Sequence, residues 1–357
     1  MADFVLSNEH EEQMDPVQPI RDERLQYQIS KLQSQGRASY LSTAEQIVDP
    51  YSISSTLGAG GVESLSLQEC AFDACVRHVL RLLSSKEDRL VSLHLSENNG
   101  EFIERIGQWC QQMSIAEHHW LATPLRSALA PHIVCDHRGT VIPARDLRDC
   151  VDVDLVLTQC REQSQLISII TADCELSAEH QHGTLFVNQV LIALELLRAG
   201  GIFVVKIGEF YQHNTKLILW LLFSVFERVE VKKPLATPVC DTTKYVVCHQ
   251  YKQSHYEQKF KSLCVNIRSR DNPSLLEFPL SWSYWLTDKQ NQFNRIKESY
   301  QTKAMQIAQL LLHKTPYLSE TSLHDLLETC WLDKNVRKFA QRYILETTNK
   351  QIPVNIL

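Results

Sequence analysis

From Leu90 onward, short apolar runs of strand length alternate with longer stretches whose apolar residues recur every three or four positions. Leu90–Leu95 reads as a strand, and Phe102–Met113, opened by Asn98-Asn99-Gly100, as a helix. His118–Ala122 reads as a second strand and Val151–Gln163 as a helix. Leu166–Thr171, Ile202–Val205, Val229–Lys232 and Lys244–His249 read as further strands, with helices over Leu185–Arg198 and Thr215–Phe226. Such alternation predicts an α/β domain, a mostly parallel sheet with helices on both faces. The last two strands are joined by a short stretch without helical spacing, which predicts antiparallel pairing at that end of the sheet. Residues 1–50 are rich in Gln, Glu and Ser and predict a loose or partly helical arm, and Gly58-Ala59-Gly60-Gly61 breaks the chain after it. Leu67–Leu83 has helical spacing. Beyond the last strand, Phe260–Leu312 predicts helices, with Trp282, Tyr284, Trp285, Phe293, Ile296, Tyr300, Ile307 and Leu311 as the apolar set. These residues predict a face packed on the domain, with base stacking by the tryptophans as the alternative. The expected organisation is an arm over 1–60, a domain over 61–255 and a mainly helical extension over 256–357.

Composition narrows the class. An apolar fraction of 44% is ordinary for a globular chain, and no run approaches a membrane span. The start, MADFVLSNEHEEQMDP, is acidic and polar, without the basic and apolar regions of a secretory signal, so an intracellular site, cytoplasmic or nuclear, is expected. Eleven cysteines are scattered without a C-x-x-C pair. They predict buried, reduced thiols and no metal site. The net charge of −6 conceals an asymmetry: residues 1–205 carry 15 Lys and Arg against 28 Asp and Glu, residues 206–357 carry 21 against 14. Either this is an ordinary solvated surface, or the second half faces a polyanion, since phosphates are met mainly by Lys and Arg. Lys216, Lys232 and Lys233 are the candidate RNA-phosphate contacts.

Two charges stand where apolar strands end. Asp173 follows Ile169-Ile170-Thr171-Ala172, and Lys206 follows Ile202-Phe203-Val204-Val205. Ligands of open α/β sheets bind at the carboxyl ends of the strands. The two residues form either a purely structural ion pair or a catalytic pair, with Lys206 acting as a base.

The segments "IITADCEL", "LRAGGIFVVKIGEF", "LLFSVFERVEVKKPLATP" and "TKYVVC" occur in one order over Leu166–Tyr251. In that order they resemble the FtsJ-type RNA 2'-O-ribose methyltransferases, the mRNA cap enzymes in particular. A looser match extends to Leu93–Ala122, and Phe260–Leu312 is similar to the tail of cap enzymes. The resemblance implies a Rossmann-like methyltransferase fold, a seven-stranded sheet with a reversed edge strand, and S-adenosylmethionine as cofactor. It also implies a Lys-Asp-Lys-Glu tetrad around the substrate hydroxyl, in which Lys206 is the second lysine and Asp173 the aspartate. Thr243 stands where the glutamate is expected, with Asp241 nearby. The first lysine would fall in Tyr51–Gly61, which has none, and Arg77 is a poor proton acceptor. The glycine-rich cofactor turn is replaced by "HLSENNGEF", with His94 in place of an acid and Glu101 after Gly100. Cofactor contacts implied by position are Ser96, Asn98, Asn99, Gly100, Thr123, Asp136 and Asp173. Two functions are therefore expected: a divergent RNA 2'-O-methyltransferase with the mRNA cap as a candidate target, or a silent methyltransferase fold that binds RNA or a protein partner.

Overall fold

The structure, a computed structural model, describes residues 23–34, 41, 75–76, 79–80, 83, 89–97, 100–124, 138–144, 146–163, 166–173, 179–209, 211, 213–233, 242–262, 264 and 279–314. Seven strands form one sheet: β1 (Arg89–Glu97), β2 (Glu117–Pro124), β3 (Gly139–Val141), β4 (Ile167–Ala172), β5 (Leu197–Ile207), β6 (Phe226–Lys232) and β7 (Lys244–Tyr251). Their order is β3-β2-β1-β4-β5-β7-β6. β1 to β5 are mutually parallel, and β7 runs antiparallel to both β5 and β6. This is the mixed sheet that the alternating pattern predicts. The reversed strand sits one in from the edge, because the β6–β7 hairpin folds back and slots β7 against β5.

Both faces are covered, so the central strands are apolar throughout rather than alternating. One face presents Leu93, Ile170, Phe203, Val205 and Val246 to helices α3 (Cys150–Glu162), α4 (Glu179–Leu196) and α5 (His213–Val225). The other presents Leu90, Ile169, Ile202, Val204, Tyr245 and Val247 to α2 (Glu101–Gln112) and to Cys75, Val76, Val79 and Leu80. Two further helices follow β7: α6 (Gln253–Lys259) and α7 (Leu280–Lys314), a single run of 35 residues. In the arm, α1 (Glu23–Ser34) buries Leu25 and Ile29 against Ala304, Met305 and Ala308 of α7. No described helix is long and apolar enough to cross a membrane.

Boundaries move for local reasons. Asp149 caps α3, its carboxylate accepting from the Val151 amide at 2.9 Å, so the helix opens at Cys150. β3, which the hydrophobic pattern leaves undetected, is three residues long and held by Trp120 of β2: the two strands pair Trp120 with Gly139, and the indole lies where a Gly139 side chain would go. The two tryptophans of α7 pack on α5. Trp282 and Trp285 stack at 5.1 Å, both against Phe223, and the Trp282 indole donates to the Lys216 carbonyl at 3.1 Å.

Candidate active site

β4 and β5 are in register at Ala172 and Val205, so the next rung sets Asp173 beside Lys206 at the carboxyl ends of adjacent parallel strands. Lys206 Nζ lies 3.0 Å from Asp173 Oδ1, with the carboxylate 1% exposed and the lysine side chain 16%. The Tyr245 hydroxyl donates to the same oxygen at 2.9 Å. Burial first, then the Asp173 carboxylate, hold this phenol well above its ordinary pKa, so it remains a donor. Lys206, Tyr245 and Lys232 are mutual register partners across β5, β7 and β6, which places three side chains on one face in one row. Lys232 pairs with Glu230 at 3.0 Å, and Arg228 reaches the same glutamate at 2.9 Å. Thr243 is buried two residues before Tyr245, and its carbonyl accepts from Lys233 Nζ at 3.3 Å. Burial first pushes the Cys75 thiol up to about 12, with Lys232 drawing it down and Asp173 and Glu230 adding to the rise.

A second group of residues lies at the ends of β1 and β2. Ser96 has φ 56°, a left-handed conformation that L-residues other than Gly, Asn and Asp seldom adopt. Its amide donates to Thr123 Oγ1 at 2.8 Å, and its hydroxyl accepts from Gln189 Nε2 of α4 at 3.0 Å. Buried Glu97 accepts from the Gly100 amide at 3.1 Å, and Gly100, at φ 87°, opens α2. The structure thus brings Ser96, Gly100 and Thr123 to the strand ends that adjoin Asp173. Asn98, Asn99, Asp136, Arg77, Asp241 and Tyr51–Gly61 lie outside the described residues. Two left-handed residues, Ser96 and Gly100, and a fully buried Gln189 whose Oε1 has no hydrogen-bond partner among the described residues suit a polar small ligand at this place. Gln189, Glu97 and Tyr245 were not singled out by the sequence pattern. The one visible signal was Asn188-Gln189 inside the apolar run Leu185–Leu196.

His94, where the resemblance expects an acid, is committed to a buried chain beneath these ends. Its Nδ1 lies 2.8 Å from Thr171 Oγ1 and its Nε2 2.9 Å from Ser92 Oγ, which in turn lies 2.9 Å from His118 Nε2. Burial first, then the His118 charge, hold the His94 pKa well below its ordinary 6.5. The unfolded chain therefore binds a proton that the native chain refuses, and stability is lost as pH falls below about 6.5, at roughly 1.4 kcal/mol per pH unit for one such group. Urea melts from pH 7.5 to 5.0 should show this slope, and His94→Asn should flatten it by about one proton. An unchanged slope in the variant would assign the effect elsewhere.

Lys216 is spent inside the molecule. Its Nζ donates to Ser283 Oγ at 3.1 Å and Thr287 Oγ1 at 2.9 Å, tying α5 to α7, and burial lowers its pKa. Cys75, Cys110, Cys160, Cys248 and Cys264 are buried free thiols, and Cys150 is exposed. Among the described residues no group of three or more His, Cys, Asp or Glu could hold a metal ion.

Residues 84–251 match the model of the FtsJ-like methyltransferase family. A cap-specific mRNA (nucleoside-2'-O-)-methyltransferase 2 of Drosophila melanogaster is 28% identical over 118 residues, covering 31% of this chain and 17% of that protein. A cap-specific mRNA (nucleoside-2'-O-)-methyltransferase 1 of Trypanosoma cruzi (strain CL Brener) is 30% identical over 103 residues, covering 28% of each. The human protein of the latter name is 27% identical over 179 residues, covering 46% of this chain and 21% of its own length. The chain thus matches less than a third of the length of each of these relatives.

Proposed function

We propose that the FtsJ-like methyltransferase domain over residues 84–251 places a methyl group from S-adenosylmethionine on a ribose 2'-hydroxyl of RNA, with cap-proximal nucleotides of mRNA as the candidate target. The observation that carries this reading is the 3.0 Å pair of Lys206 and Asp173 at the carboxyl ends of adjacent parallel strands, beside the left-handed turn at Ser96 and Gly100. Ser96, Gly100, Thr123, Gln189 and Asp173 would hold the cofactor, with Asn98, Asn99 and Asp136 as further candidates. S-adenosylmethionine supplies an electrophilic methyl group on a cationic sulfur.

The chain's own residues do the rest. A 2'-hydroxyl is a weak nucleophile, so the site has to orient it and handle its proton. An ammonium carries three donors. Lys206 directs one at Asp173; with a second proton released to solvent, its amine lone pair accepts the 2'-hydroxyl proton as that O–H bond breaks and the oxygen bonds the methyl carbon, whose bond to sulfur breaks. Asp173, steadied by the Tyr245 hydroxyl, holds Lys206 in that pose and sets a negative charge beside the ammonium that forms as Lys206 takes the proton. The low exposure of the pair keeps water from competing as nucleophile. Lys232, at the β6 end of this row, and Lys233 after it are proposed to meet the phosphates that flank the ribose. Lys216, committed to α7, is left out of that set.

The test is transfer of labelled methyl to capped and uncapped RNA in a single turnover at high enzyme. Product that resists alkaline cleavage at the modified nucleotide is the result expected; absence of any transfer to RNA would remove the reading. Lys232→Gln with Lys233→Gln should weaken RNA binding without regard to sequence and lower the slope of affinity against salt by about one to two charges. An unaltered slope would take both lysines out of the interface.

A further inference from the structure

We propose that Gln189 is the positioning residue of the turn that leaves β1, and that its side-chain oxygen is kept for a hydrogen-bond donor on the bound cofactor. The second half of this statement rests on the cofactor reading above; the first half does not. Gln189 is fully buried in α4, in a run that is otherwise almost wholly apolar, and its neighbour Asn188 is satisfied by the Leu147 carbonyl at 2.7 Å. The Gln189 amide reaches across to Ser96 Oγ at 3.0 Å, a hydroxyl 93 residues earlier in the chain. Ser96 is thereby gripped at two points, its hydroxyl by α4 and its amide by Thr123 of β2. Two grips are what a serine at φ 56° requires, because nothing in its own backbone preference keeps it there.

The next residue, Glu97, accepts from the Gly100 amide at 3.1 Å, and Gly100 opens α2 at φ 87°. A glycine-rich turn would reach the same course by having no side chains to clash. Here side-chain hydrogen bonds from two neighbouring elements do the work that glycines would do. The remaining atom, Gln189 Oε1, is buried without a partner among the described residues. A buried acceptor left unpaired costs stability and calls for a partner, and a donor on a bound ligand supplies one. The turn it adjoins is where the cofactor would lie, and an amino, ammonium or hydroxyl group of that cofactor is a fitting donor.

The experiment uses the full chain and the variant Gln189→Leu, read three ways. Calorimetry with S-adenosylmethionine should show affinity reduced about tenfold, the loss expected of one buried hydrogen bond and a loosened turn. The melting temperature should be unchanged or higher, because leucine removes an unpaired oxygen from an apolar setting. Amide exchange at Ser96 and Gly100 should quicken in the ligand-free protein. Adding Ser96→Gly should restore slow exchange at Gly100, since glycine accepts the left-handed conformation unaided. Unchanged exchange, or a large fall in melting temperature that accounts for all lost binding, would overturn the proposal. If wild type itself binds no cofactor while exchange quickens in the variant, the cofactor reading fails and the positioning role stands.

Discussion

Replacing Lys206 by alanine should reduce single-turnover methyl transfer by about a thousandfold while the protein stays folded. The expectation follows from the geometry of one row. Lys206 is the cation that touches Asp173 at the strand ends, whereas Lys232, two strands away in the same row, is paired with Glu230. Loss of the lysine does not strand the Asp173 carboxylate, because the Tyr245 hydroxyl still donates to it. The stability cost should therefore be about 1 kcal/mol, well short of the roughly 3–5 kcal/mol of a buried pair broken with nothing in reserve. Methyl transfer and thermal melts on the same preparation separate the two roles. Activity within tenfold of wild type would make the pair structural, and a melting shift of the size of a broken buried pair would make the activity loss uninterpretable as catalysis. Lys206→Arg is the sharper control: it keeps the charge but changes the donor geometry, so it should also lose most activity.

Gly139→Val should be the most destabilising single change among the described glycines, at about 3 kcal/mol, because there is no room for a side chain. A Cβ built at Gly139 falls 1.8 Å from the Trp120 ring. The indole cannot swing aside cheaply: it is 1% exposed and packed with Ile103 of α2 and Ala122. The strain should lower the melting temperature by roughly 10 °C and loosen β3, while a Trp120→Leu partner substitution should recover part of the loss. A melting temperature within two degrees of wild type would show that β3 peels away without consequence.

The central strands were legible because a sheet covered on both faces writes itself as unbroken apolar runs. β3 was not, since Gly139-Thr140-Val141 has neither length nor period, and what fixes it is an indole from the adjacent strand. The first turns of α4, Glu179 to Gly183, are polar and hid the true start of that helix. In the site, Asp173 and Lys206 stood out as charges closing apolar runs. Tyr245 did not, because a tyrosine within an apolar strand looks like core until its hydroxyl is seen on Asp173. Gln189 gave a faint local signal but no hint of Ser96. For Lys216, position in a basic half suggested phosphate, whereas its hydroxyl partners on α7 lie more than sixty residues away in sequence, at Ser283 and Thr287.

The contact of α1 with α7 has a bearing on biosynthesis. The apolar stripe of α1, Leu25 and Ile29, finds its cluster partners in Leu41 and in Ala304, Met305 and Ala308. A nascent chain therefore makes Leu25, Ile29 and Leu41 and then all seven strands, the last ending at Tyr251, before the α7 part of that cluster leaves the ribosome. Closing so long a loop is entropically slow. The sheet can assemble while α1 waits, and docking of α1 on α7 follows it, leaving an interval in which a chaperone or a second nascent chain competes for the same stripe.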